Sequence, residues 1–198
     1  MIAIIDYGVG NLFSLSSSLE HLGLDCVITN DRETIKNAEK IILPGVGAFS
    51  DARALLKKDG LDDFLIEQAK SGKPFFGICL GMQLLFDKSF EYGVHEGLGL
   101  IKGEIRPIPT ALKIPHIGWN SLNFEKDDPL LKYIKNGDYV YYVHSYCAMD
   151  CEESLVASSD YGTKVTGIVR NGNVCGTQFH PEKSGAVGLN ILKAFGEM

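Results

Sequence analysis

The segment Pro74–Phe86 reads PFFGICLGMQLLF. Its first part, Phe75 to Ile78, is a continuous apolar run of strand length, the pattern of a parallel strand buried on both faces. Its last part, from about Leu80 to Phe86, is expected to be helical. Between them stands Gly77-Ile78-Cys79-Leu80-Gly81, the G-x-nucleophile-x-G signature of a sharp strand-to-helix turn, with cysteine in the serine position. Such a turn crowds the backbone, so the flanking positions take glycine, and it lifts side chain 79 out of the sheet. The segment is apolar but too short for a membrane helix, which needs about 20 residues.

Upstream, strand and helix patterns alternate. Ile2 to Ile5 is a short apolar run. Asn11 is placed to cap a helix with Leu12, Leu15, Leu19 and Leu22 on one stripe and Gly23 at its end. Cys26–Thr29 and Lys40–Leu43 read as strands, the latter stopped by Pro44, and Asp51–Lys58 and Leu61–Lys70 as helices, with Gly72 closing the region. This order implies a parallel sheet with helices on its faces. Downstream, strands dominate: Gly97–Arg106, Trp119–Phe124, Tyr139–Tyr146, Leu155–Ser159, Val165–Arg170 and Val174–Phe179. Asn171-Gly172 is a hairpin turn signal between the last two, and a helix from about Ala186 to Phe195 closes the chain. The expectation is one α/β domain spanning residues 1–198, its central sheet mixed but mostly parallel, with antiparallel later strands.

The 198 residues carry 19 Lys and Arg against 25 Asp and Glu, a net charge of −6. Nucleic-acid-binding chains normally show a basic excess, so nucleic acid is not an expected partner, and no apolar stretch suggests a membrane. MIAIIDYGVGN at the N-terminus lacks the basic head of a signal peptide. Cys26, Cys79, Cys147, Cys151 and Cys175 show no scaffold spacing, as expected of free thiols in a reducing, cytoplasmic compartment. Cys147 and Cys151 lack a second ligand pair, so zinc is not expected.

A buried core cysteine is the plain alternative for position 79. Strand, paired glycines and helix together favour a nucleophile: the helix N-terminus favours the thiolate, and the Leu80 N–H is free to meet a developing oxyanion. A thiol that cleaves an amide needs a base that later protonates the leaving amine. Of the five histidines, His21 lies on a helix surface, His95 and His116 fall in loops without an obvious partner, and His180 ends a strand in Gln178-Phe179-His180-Pro181-Glu182. Residues two apart in an extended chain face one side, roughly 6–7 Å apart, so Glu182 is placed to orient the His180 ring as the acid of a triad does.

Two glycine loops remain. Leu43-Pro44-Gly45-Val46-Gly47-Ala48-Phe49 follows a strand and is a candidate source of a second oxyanion donor, from Val46 or Gly47; a plain turn is the alternative. Asp6-Tyr7-Gly8-Val9-Gly10-Asn11 fails as a dinucleotide fingerprint because the third glycine position is Phe13. No phosphate-binding loop occurs, and neither cofactor nor metal is expected.

The elbow at Gly77–Gln83 together with His180-Pro181-Glu182 resembles the triad-type glutamine amidotransferases. Gly118-Trp119-Asn120, Tyr142-Val143-His144-Ser145-Tyr146 and Phe179–Ser184, with the two glycine loops, are similar to the glutaminase subunits of imidazole glycerol phosphate synthases, along essentially the whole chain. The resemblance implies a flavodoxin-like fold and a glutaminase in which Cys79 forms a glutamyl thioester, His180 shuttles the proton and Glu182 orients it. It implies that Gln83 and Glu91 hold the amino-acid head of glutamine, with the backbone around Gly45, Gly47, Ser145 and Tyr146 completing the pocket. It also implies a heterodimer with a (β/α)₈-barrel cyclase that receives the ammonia in histidine biosynthesis, docked against Asn11, Trp119, Tyr141 and Lys183. Core packing is the alternative for Trp119 and Tyr141, a solvated surface lysine for Lys183. A paralogous subunit feeding a different synthase, such as one in surface-sugar biosynthesis, shares the same catalytic residues. A stand-alone glutaminase, a dead scaffold and an unrelated cysteine hydrolase fit fewer of these matches.

Overall fold

Ile2–Ile5 (β1) shows how the molecule is layered. All four residues are buried, and they alternate: Ala3 and Ile5 join one hydrophobic cluster, Ile2 and Ile4 the other. A strand covered on both faces needs helices on both sides. The computed structural model describes residues 1–198. After β1 come α1 (Leu12–His21), β2 (Cys26–Thr29), α2 (Arg32–Asn37), β3 (Lys40–Leu43), α3 (Phe49–Lys58), α4 (Leu61–Lys70), β4 (Phe75–Ile78) and α5 (Leu80–Gln83). The strand-rich part holds β5 (Phe86–Ser89), β6 (His95–Glu96), β7 (Ile101–Pro107), β8 (His116–Ser121), β9 (Asn123–Phe124), β10 (Tyr139–His144), β11 (Tyr146–Met149), β12 (Leu155–Asp160), β13 (Lys164–Asn171) and β14 (Val174–Thr177), before the final helix α6 (Gly185–Gly196).

The main sheet has eight strands in the order β2-β1-β3-β4-β14-β13-β12-β9. The five from β2 to β14 are parallel, and β13, β12 and β9 are antiparallel, as the alternating patterns imply. On one face α1 and α6 supply Leu15, Leu19, Ile191, Leu192 and Phe195; Phe195 stacks on Phe76 of β4 at 5.0 Å. The other face takes Ile35, Phe49, Leu56 and Leu65 from α2, α3 and α4. Asn171-Gly172 turns β13 into β14, with Asn171 opposite Val174. No helix is long and apolar enough to cross a membrane.

Several expected elements differ. The helix after Cys79 is a single turn, not a run to Phe86. Leu84, Leu85 and Phe86 turn their carbonyls to the amides of Leu98, Leu100 and Gly99, so this chain leaves the helix to start a second sheet, ordered β11-β7-β5-β6. Those bonds, with that of the Gly97 N–H to the Asp87 carbonyl, hold residues 97–100 outside any strand. The expected strand Tyr139–Tyr146 is split at Ser145: β10 pairs with β8, β11 with β7. Likewise Trp119–Phe124 divides into β8 and β9, which join different sheets. Asn11 sits at the N-cap of α1, but its side chain makes no capping bond. The short helix α2 has no counterpart among the sequence expectations.

Candidate active site

The C-terminal ends of β3, β4 and β14 meet below one cleft, the usual position for a site in an open parallel sheet. Cys79 joins β4 to α5 with φ 54° and ψ −112°, a left-handed backbone that costs a non-glycine residue about 1–3 kcal/mol. Packing enforces it. A Cβ on Gly81 would overlap the Leu43 carbonyl, and one on Gly77 would lie 2.6 Å from the Met82 Cα. The glycines thus make room for the crossing, while the unusual dihedral falls on the cysteine itself. Its N–H donates to the Thr177 carbonyl at 2.8 Å, tying the turn to β14.

His180 leaves the end of β14 in an extended conformation and is 2% exposed. Pro181–Lys183 then forms a 3₁₀ turn instead of continuing extended. Proline suits the first position of such a turn, where its missing N–H costs nothing. The turn still brings Glu182 Oε1 to 2.8 Å from His180 Nδ1, which leaves the other ring nitrogen for Cys79. The second carboxylate oxygen of Glu182 is buried without a protein partner. Burial alone would lower the His180 pKa. Its hydrogen bonds to Cys79 and Glu182, and the negative charge on both, outweigh burial and raise it to about 9. A protonated imidazole beside the sulfur is a ready proton donor.

The cleft holds about 650 Å³, and Cys79, Leu80, Val46, Gly47, Gln83 and Glu91 are among its lining. The amides of Val46, Gly47 and Leu80 are not taken up in backbone hydrogen bonds. Ser145, Tyr146 and Lys183 also face the cleft; Ser145 and Tyr146 do so because the chain changes sheets there. Gly45 does not line it. It packs beneath the elbow, where a Cβ would lie 2.7 Å from the Gly81 amide nitrogen. Glu91 Oε2 accepts the Phe49 N–H at 2.6 Å, so it caps α3, whose own N-cap, Ala48, offers no side-chain bond. Trp119 and Tyr141 lie opposite each other on β8 and β10 in an edge-to-face pair at 5.9 Å. Trp119 is 56% exposed, so it is a surface aromatic rather than a core one. Asn11 is half-buried at the start of α1, outside the cleft lining.

Gln178, not among the residues expected from the sequence, is fully buried. It donates to Cys79 Sγ at 3.8 Å and accepts from Gln83 Nε2 at 3.0 Å. Its spacing of two from His180 along a strand end was the available signal. His116 is not in a loop: it lies buried in β8, stacked on Tyr142 and Tyr161. His95 is in the short strand β6. The other cysteines are free thiols, and burial pushes that of Cys147 up to about 12.

The sequence matches the family of class-I glutamine amidotransferases over residues 3–196. By fold, the crystal structure of a glutamine amidotransferase superposes with a TM-score of 0.77 at 18% identity, covering 99% of this chain and all of that one. PurLQS from Thermotoga maritima gives 0.76 at 22% identity, covering 98% of this chain and 96% of that one. The chain belongs to the class-I glutamine amidotransferase family. More narrowly, it is 54% identical to the imidazole glycerol phosphate synthase subunit HisH of Caldanaerobacter subterraneus subsp. tengcongensis, covering 100% of this chain and 98% of that relative. It is 49% identical to the HisH subunit of Oceanobacillus iheyensis, covering 100% and 99%, and 50% identical to that of Lactococcus lactis, covering 98% and 96%.

Proposed function

We propose that residues 1–198 act as one glutaminase domain that hydrolyses glutamine through Cys79 and hands the ammonia to a cyclase subunit in histidine biosynthesis. The observation that carries this reading is the elbow Cys79 facing His180, whose far nitrogen is held at 2.8 Å by the buried Glu182. In the first step Cys79 Sγ attacks the side-chain amide carbon of glutamine. The proton passes through His180 to the departing nitrogen, which leaves as ammonia, and a glutamyl thioester remains. Water, activated by His180, then cleaves the thioester to glutamate and the free thiol. Leu80, with Val46 or Gly47, supplies N–H donors to the tetrahedral oxyanion. Gln83, Glu91, Ser145 and Tyr146 hold the amino-acid head, and Gly45 supports the loop from beneath.

The ammonia needs a protected destination, since in water it is protonated and lost as a nucleophile. The similarity to HisH subunits along the full length supports a (β/α)₈-barrel cyclase as that destination, in a cytoplasmic heterodimer. Trp119, with Tyr141, Asn11 and Lys183, forms the docking face; an exposed tryptophan is the residue type that most often anchors such a face. The test is glutamate release by the purified chain with the cyclase, compared with Cys79→Ala. Release by the unsubstituted chain alone among the two supports the reading, and equal release by both overturns it.

A further inference from the structure

His116 and His144 are 2% and 6% exposed and belong to none of the steps above. His116 Nδ1 lies 2.9 Å from His144 Nε2, and His144 Nδ1 lies 2.8 Å from the Tyr146 carbonyl oxygen. A carbonyl only accepts, so His144 Nδ1 carries the proton. His144 Nε2 is then an acceptor, and His116 Nδ1 must be the donor to it. His116 Nε2 is left to accept from Asn120 Nδ2 at 3.4 Å. Each link has one donor and one acceptor only while both rings are neutral and protonated on Nδ1.

The same carbonyl sets the polarity on its other side. Tyr146 O also accepts from Gln83 Nε2 at 3.1 Å, and Gln83 Nε2 donates again to Gln178 Oε1 at 3.0 Å. Rotating the Gln83 amide would set its oxygen against two acceptors. Both N–H groups of Gln83 are thereby spent, and its carbonyl oxygen is free toward the cleft. Gln178, accepting at its oxygen, must offer Nε2 to Cys79 Sγ. We infer that His116 and His144 are positioning residues for glutamine: as a neutral, Nδ1-protonated pair they fix the Tyr146 carbonyl, which orients Gln83 toward the substrate and Gln178 toward Cys79. Burial favours the neutral rings: it lowers the His116 pKa, and with nearby His116 and His180 it brings that of His144 to about 4, against the opposing hydrogen bond to Tyr146. Stacking of His116 on Tyr142 and Tyr161, at 4.8 and 3.9 Å between centroids, keeps the first ring in place.

This inference rests on the glutaminase reading, and the experiment separates the two. Steady-state glutaminase kinetics of the full chain with its cyclase are measured for His144→Phe and His144→Asn. Asn keeps an N–H where Nδ1 stands; Phe removes it. His144→Phe is expected to raise KM for glutamine about tenfold with kcat changed less than about threefold, and His144→Asn to restore KM to within about threefold of the unsubstituted chain. Side-chain proton–nitrogen correlation spectra of the unsubstituted chain with nitrogen-labelled histidine are expected to show two rings in the Nδ1–H form, the minor form in water. An unchanged KM in His144→Phe, a KM that His144→Asn fails to restore, or an Nε2-protonated His144 would overturn the inference while leaving the glutaminase reading in place. No glutamate release by the unsubstituted chain would take both down together.

Discussion

The roles proposed for Cys79, His180 and Glu182 are separable, and single substitutions distinguish them. Cys79→Ala removes the attacking atom and should reduce glutamine hydrolysis at least about a thousandfold. Its effect on stability should stay within about 2 kcal/mol: alanine adds no new contact, and what is lost is the interaction of the sulfur with His180. Cyclase turnover should survive in that variant when ammonium salt replaces glutamine; failure of rescue would place the lesion in assembly. Glu182→Gln should lose much less activity than His180→Ala if Glu182, bonded to His180 Nδ1 at 2.8 Å, orients the ring without itself transferring the proton. The raised His180 pKa adds a stability prediction. Its folded value of about 9 exceeds the ordinary 6.5, so the charged ring stabilises the fold. That contribution is complete below about pH 6.5 and is lost as pH rises through about 9. Thermal unfolding of Glu182→Gln should therefore show a deficit of about 2 kcal/mol at pH 6 that shrinks above pH 9. A deficit constant from pH 6 to 10 would contradict the ion-pair account.

At the scale of elements, the elbow depends on close backbone approach more than on side-chain contact. Gly81→Ala would drive a methyl into the Leu43 carbonyl and should cost more than about 3 kcal/mol or prevent folding; denaturant unfolding with a loss under about 1 kcal/mol would show that β3 and the elbow can separate. β1, β3, β4 and the long helices of the parallel half were legible because burial on both faces leaves continuous apolar runs and the helices carry stripes. The single-turn α5 was not: Leu84, Leu85 and Phe86 continue an apolar pattern, and only the distant amides of residues 98–101 decide that the chain departs. The break at Ser145 was hidden for the same reason, since an unbroken alternation of residues says nothing about which sheet each half joins. Helix α2 buries only Ile35 and starts from an Asp31 cap bonded to Thr34, too short a segment for periodicity to show. His180 and Glu182 came together as the sequence suggested, though through a 3₁₀ turn and not an extended chain.

For the molecule as a whole, the proposed docking face rests on the exposed Trp119. Trp119→Ala should weaken binding of the cyclase by about 2 kcal/mol, roughly thirtyfold in Kd, and leave the melting temperature of the isolated chain nearly unchanged; titration calorimetry decides it, and unaltered affinity would move the docking face elsewhere. The negative net charge and the missing phosphate loop were readable from composition and motif, and they fit a subunit that makes ammonia without binding its acceptor. Whether a partner covers the cleft depends on a second chain, and no single sequence carries that. The most direct measurement is glutamate release by the purified chain, alone and with the cyclase subunit carrying its nucleotide ligand, set beside Cys79→Ala under the same conditions. Hydrolysis through a Cys79 thioester predicts release that rises strongly with the loaded partner and disappears in Cys79→Ala. Glutamate release by Cys79→Ala at the rate of the unsubstituted chain would contradict it.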